Sequence, residues 1–211
     1  MTWLFGCYAV VLAANMMFAV RQGQKGNRLT KPFLMPLLIL YYVLSANPVN
    51  AWVVGALSFG FLGDVFLLGQ KEIFFKAGLS AFLLGNVSYT VAFWNATGGL
   101  TQSLLFWILV PYVAVGVFLM LWLWRYLGTQ KIPVLIYLVV ISLMSWTSWF
   151  SLVEAARPTA LAGVVGSILF MLSDVILTYK LFVKPEKNLQ ALVMLFYGLA
   201  QVFLMGSFLI W

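Results

Sequence analysis

The chain has 211 residues, 64% of them hydrophobic, 17% aromatic and only 8% charged, with a net charge of +7 and a mean hydropathy of +1.04. Soluble domains run at roughly 45–50% apolar and 25% charged residues, so this composition excludes a water-exposed globule and indicates an integral membrane protein. The basic residues are scattered over short connections and form no stripe, which argues against a nucleic-acid partner.

The first segment, "MTWLFGCYAVVLAANMMFAV", has no basic leader, and its apolar run is longer than that of a signal peptide, so it is read as a first spanning helix. Breaks at charges, Pro, Gly and Asn place the other candidate helices near residues 32–46, 49–69, 73–95, 103–126, 132–153, 159–182 and 189–211. The expected fold is therefore all-α, a single polytopic domain over residues 1–211 with eight transmembrane helices. Of the twelve Lys and Arg residues, eleven fall in or beside the odd-numbered connections, from Arg21 to Lys31 in the first to Lys180, Lys184 and Lys187 in the seventh. Only Arg157 falls on the other side. By the positive-inside rule the odd connections are cytoplasmic and both termini face outward. The connections "LGTQK" and "NATGGLTQ" are read as ordinary links.

Two apolar runs each contain one aspartate: Asp64 in "FGFLGDVFLL" and Asp174 in "LFMLSDVILT". Both helices run from outside to inside, with Lys71 and Lys180 following at nearly equal intervals. At 1.5 Å per residue, each carboxylate lies about 10 Å short of a cytoplasmic lysine. Aspartate is too short to snorkel to the interface, so each should face an internal polar cavity, without a matching pair of buried cations. If the two share that cavity, desolvation and mutual repulsion favour a proton on one while the other stays anionic. Further polar groups fall on plausible inward faces: Asn86 and Tyr89 one turn apart on the fourth helix, Tyr137 on the sixth, and Tyr197 and Gln201 at i, i+4 on the eighth.

The single cysteine, Cys7, cannot form an intramolecular disulfide, and the absence of histidine removes the usual imidazole base and His-ligated metal sites. No metal or other cofactor is expected. Paired intramembrane carboxylates also serve proton and cation relays, so a small proton- or cation-coupled transporter is an alternative reading.

The stretches "LTKPFLMPLLIL", "LSFGFLGDVFLL", "FKAGLSAFLLGNVSYTVAFW", "IPVLIYLVVISLMSW", "GSILFMLSDVILTYKLF" and "ALVMLFYGLAQVFLMGS" together resemble the YhhN/TMEM86 family of lysoplasmalogenases. The resemblance implies an eight-helix membrane enzyme that hydrolyses the vinyl ether bond of a lysoplasmalogen, releasing a fatty aldehyde and glycerophosphoethanolamine or glycerophosphocholine. It makes Asp64 and Asp174 the catalytic pair and places Lys31 at the cytoplasmic mouth to meet the phosphate. It adds Asn86, Tyr89, Tyr137, Tyr197 and Gln201 as substrate-binding positions. Many relatives carry histidine where this chain has Asn86, so an inactive lysolipid-binding relative is a third reading. The implied partners are a lysophospholipid substrate and membrane lipids. The implied location is a bacterial inner membrane, with the mouth of the site towards the cytoplasm.

The chemistry suits two acids without histidine. Protonation of the alkene carbon remote from oxygen needs a carboxylic acid, and the resulting oxocarbenium ion needs a neighbouring anion and an activated water. Paired carboxylates in glycoside hydrolysis meet a similar demand.

Overall fold

A computed structural model describes residues 2–21, 24–69, 71–97, 105–154 and 159–209. Among these there are eight α-helices: α1 (Thr2–Val20), α2 (Gln24–Ser45), α3 (Ala51–Phe66), α4 (Glu72–Thr97), α5 (Leu105–Leu123), α6 (Lys131–Glu154), α7 (Ala160–Phe182) and α8 (Lys187–Gly206). A single 3₁₀ turn, Gly128–Gln130, precedes α6. Arg157, the lone outward basic residue of the charge pattern, lies outside the described residues.

Every expected segment forms a helix, but the second differs from expectation. It begins at Gln24 and not near residue 32, and it runs through Pro32 and Pro36 without ending. Each proline removes one backbone hydrogen bond, which a helix packed among others tolerates. The first turns of α2 are tied down by side chains: Asn15 Nδ2 of α1 donates to Thr30 Oγ1 at 2.8 Å, and Thr30 Oγ1 donates to the Gly26 carbonyl at 2.9 Å. The helix start at Ala51 is set by Asn50, whose side-chain oxygen accepts from the Trp52 amide at 2.9 Å.

Six helices are long and apolar enough to cross a bilayer: α1, α4, α5, α6, α7 and α8. The apolar helix α3 has only 16 residues, and α2 begins in a polar, basic stretch. At 1.5 Å per residue α3 is about 24 Å long, short of a hydrocarbon core of about 30 Å.

Neighbouring helices pack as a closed ring, α1–α2–α3–α4–α6–α7–α8 and back to α1, while α5 lies outside and packs on α6. Small residues permit the closest approaches. A Cβ on Gly166 would lie 2.7 Å from the Leu204 amide nitrogen of α8, and one on Gly85 would lie 3.2 Å from the Ala56 carbonyl oxygen of α3. Polarity is distributed as a bilayer requires. Trp107, Phe118 and Leu121 of α5 are 67–73% exposed, whereas Asn15, Lys31, Asp64, Asn86 and Gln201 are buried inside the ring. The protein is an integral membrane protein whose polar interior is enclosed by its own helices.

Candidate active site

Near the ends of α2, α3, α7 and α8 the ring encloses a cavity of about 620 Å³, and both Asp64 and Asp174 line it. The two apolar runs therefore place their carboxylates on one space. The helix-to-helix route differs for each acid. Asp64 is 1% exposed and sits on α3 beside Gly60 and Gly63, while Asp174 on α7 is partly open to the cavity.

Their partners differ more than their positions. Lys31 Nζ of α2 stands 3.0 Å from Asp64 Oδ1, and Tyr197 Oη of α8 donates to Asp64 Oδ2 at 3.0 Å. Asp174 Oδ2 accepts a hydrogen bond from Tyr137 Oη of α6. Among the described residues no Lys or Arg forms an ion pair with Asp174. One acid therefore has a buried counter-ion and the other has none among the described residues, so the two aspartates have no matching pair of buried cations. The counter-ion comes from the extended α2: its two added turns put Lys31 within the helix, 8% exposed and facing α3, where an ammonium beside a buried carboxylate offsets much of the desolvation of both.

The remaining expected residues form a layer beneath the acids. Tyr89 Oη donates to Gln201 Oε1 at 2.9 Å, joining α4 to α8. Asn86 lies beside Tyr137 and is 1% exposed. It borders a narrow crevice shared with Gly60, Tyr89 and Gln201. Phe82, Phe170 and Tyr197 form three mutually edge-on rings beside Asp64, with centroids 5.7–6.4 Å apart.

The cavity also contains residues that the sequence did not assign to the site, although Lys71 and Lys180 marked the depth of the acids. Arg28, Lys71 and Lys180 line it with Lys31, so cations ring a space that the two aspartates floor. Lys180 Nζ donates to Gln190 Oε1, which holds the ammonium on the wall. Glu72 and Gln130 complete the rim. Gln130 belongs to "LGTQK", read from sequence as an ordinary connection, yet it is buried. Its neighbourhood to Glu72, 58 positions earlier, leaves no local pattern to detect.

The model of the YhhN family matches residues 26–208. The chain belongs to the YhhN family. Similar proteins include "Lysoplasmalogenase TMEM86A" of Bos taurus, 30% identical over 162 residues, and its namesake of Homo sapiens, 29% identical over 162 residues. Each alignment covers 75% of this chain and 65% of the relative, so the chain spans just under two thirds of the length of these curated relatives. No solved structure matches. In this YhhN-family chain, the matched region contains every cavity residue named above and omits α1.

Proposed function

We propose that this chain is a lysoplasmalogenase, a membrane-embedded ether hydrolase that cleaves the vinyl ether bond of a lysoplasmalogen to a fatty aldehyde and a glycerophospho-alcohol. The observation that carries the proposal is the unequal pair of acids on one cavity. Asp64 has the Lys31 ammonium beside it, whereas Asp174 accepts from the Tyr137 hydroxyl. Two like acids in unlike settings suit unlike roles, one as proton donor and the other as anion.

In this reading Asp174 delivers its proton to the alkene carbon remote from oxygen, and the positive charge that develops on the carbon–oxygen unit is balanced by the Asp64 carboxylate. Water adds to the oxocarbenium carbon and passes one proton to Asp64. The resulting hemiacetal collapses: its hydroxyl proton goes to the departing glycerol oxygen, the carbon–oxygen bond breaks, and the aldehyde forms. The proton on Asp64 then returns to Asp174 through the wet cavity. Arg28, Lys71 and Lys180 are the cations that meet the substrate phosphate. Tyr137 and Tyr197 orient the two carboxylates, and Tyr89, Gln201 and Asn86 support them from below. The names of the relatives support the substrate class.

The accompanying topology is a single domain of eight membrane-crossing helices, with the short α3 tilted little. Both termini lie on the non-cytoplasmic side and the cavity mouth faces the cytoplasm. The one-sided distribution of Lys and Arg supports this orientation.

The test is aldehyde release from a lysoplasmalogen by the purified protein. Asp64→Asn and Asp174→Asn are each expected to reduce turnover by at least about 100-fold, the scale of a lost general acid or base. Wild-type turnover in both variants would falsify the two-acid reaction. In liposomes, proton flux without hydrolysis would instead support a transporter.

A further inference from the structure

The rim of the cavity carries two oxygen acceptors that the hydrolytic steps leave unused. Glu72 opens α4, and its Oε1 accepts from Gln130 Nε2 at 2.8 Å. The same oxygen is paired with Lys76 Nζ at 2.8 Å; Glu72 lines the cavity, whereas Lys76 is not among the residues lining it. Gln130 is 7% exposed, and its Oε1 is buried with no hydrogen-bond partner. Its orientation is set by Glu72, because the reversed amide would turn an oxygen towards the carboxylate. A buried acceptor left without a donor is unfavourable, and because Gln130 lines the cavity a small turn of its amide towards that space would let a ligand N–H satisfy it.

The rest of the wall is cationic. Arg28, Lys71 and Lys180 face the same space, so the cavity presents donors for a phosphate and, separately, a carboxylate with an amide oxygen for a positive group. That is the complement of a zwitterion. A primary ammonium has three N–H donors, one able to reach Gln130 Oε1 while the charge faces Glu72; a quaternary ammonium has none.

We propose that Glu72 and Gln130 form a subsite for the primary ammonium of an ethanolamine headgroup, and that they set a preference for ethanolamine over choline lysolipids. The proposal rests on the lysolipid reading of the cavity. It is tested on ester lysolipids, which lack the vinyl ether bond, so that its failure is distinguishable from failure of the proposed hydrolysis.

The experiment measures binding of lysophosphatidylethanolamine, lysophosphatidylcholine and lysophosphatidylglycerol with one common acyl chain to the full-length protein, followed by tryptophan fluorescence. The wild type is expected to bind the ethanolamine lipid more tightly than the choline lipid. Glu72→Gln should weaken the ethanolamine lipid about three- to fivefold, the scale of a partly solvated ion pair, and leave the phosphoglycerol lipid unchanged. Gln130→Leu should bring the ethanolamine and choline affinities together. Unchanged binding of the phosphoglycerol lipid also shows that each variant is folded. Equal wild-type affinity for ethanolamine and choline lipids, or an equal loss for all three lipids in Glu72→Gln, overturns the subsite. The expected binding pattern without aldehyde release from any lysoplasmalogen would uphold the subsite and overturn the hydrolase.

Discussion

Lys31 stands 3.0 Å from Asp64, and this contact makes two aspartates of similar sequence context chemically unequal. Both carboxylates lie inside the ring, but among the described residues only Asp64 is paired with a buried cation. Breaking a buried pair from one side leaves the other charge stranded, at a cost of about 3–5 kcal/mol. Lys31→Met is therefore expected to lower the unfolding midpoint in detergent sharply. The double variant Lys31→Met, Asp64→Asn should recover most of that stability while remaining inactive, since it restores charge balance and not chemistry. A double variant no more stable than Lys31→Met would show that the two side chains do not act as a pair.

Tyr137→Phe removes the hydroxyl that holds Asp174 Oδ2 while leaving the ring, which is 8% exposed, in its packing. The expected result is a fall in kcat of about 10- to 100-fold, the effect of losing an orienting partner, with little change in unfolding. Single-turnover aldehyde release measures it. An unchanged kcat would remove Tyr137 from the orientation of the acid.

The tight α7–α8 approach predicts a contrast between two glycines. At Gly166 an added methyl group would meet backbone, with the Leu204 nitrogen at 2.7 Å and the Ala200 oxygen at 3.0 Å, whereas at Gly206 nothing lies within 4 Å. Gly166→Ala should therefore cost about 1–3 kcal/mol, as overpacking does, and Gly206→Ala should be near neutral. Thermal unfolding of the two variants is the comparison, and equal midpoints would contradict the packing.

Gly60→Ala addresses the site itself. A Cβ there would stand 3.3 Å from Tyr197 Oη and 3.5 Å from Gln201 Nε2, both flexible side-chain ends. The side chains can yield, so the protein should fold, but Tyr197 moves off Asp64. A drop in kcat larger than the drop in stability is the expected signature, and wild-type turnover would exclude it.

The proposed orientation is checked by labelling. In a Cys7→Ala background, a cysteine at Lys184 should react with an impermeant maleimide only after the cytoplasmic face is opened. One at Val49, 43% exposed in the α2–α3 connection, should react from outside. Reversed accessibility would invert the topology.

How much of this was legible beforehand varies from residue to residue. Asp64 and Asp174 were visible because a short, ionisable side chain within an apolar run has nowhere to go but a shared interior. Tyr137, Tyr197, Tyr89 and Gln201 were visible as polar residues on inward helix faces, though not their pairings. The start of α2 was placed near residue 32, with a start before Pro32 left open, because breaks were read at charges and prolines, whereas packed neighbours let the helix continue through Pro32. Gln130 was missed because nothing in a five-residue connection distinguishes a cavity wall from a link.

The sequence by itself determined the solvent and the elements: hydrophobic runs long enough to need a bilayer, helices because backbone polar groups must be satisfied within each segment, and acids confined to the interior. Only the tertiary structure decided the partners. Lys31 meets Asp64 across 33 positions, Tyr137 meets Asp174 across 37, and Tyr197 meets Asp64 across 133. The Tyr197 contact arises when α8 returns to α1 and closes the ring, the other two join consecutive helices, and which side chain on a neighbouring helix becomes the partner leaves no periodic trace in the sequence.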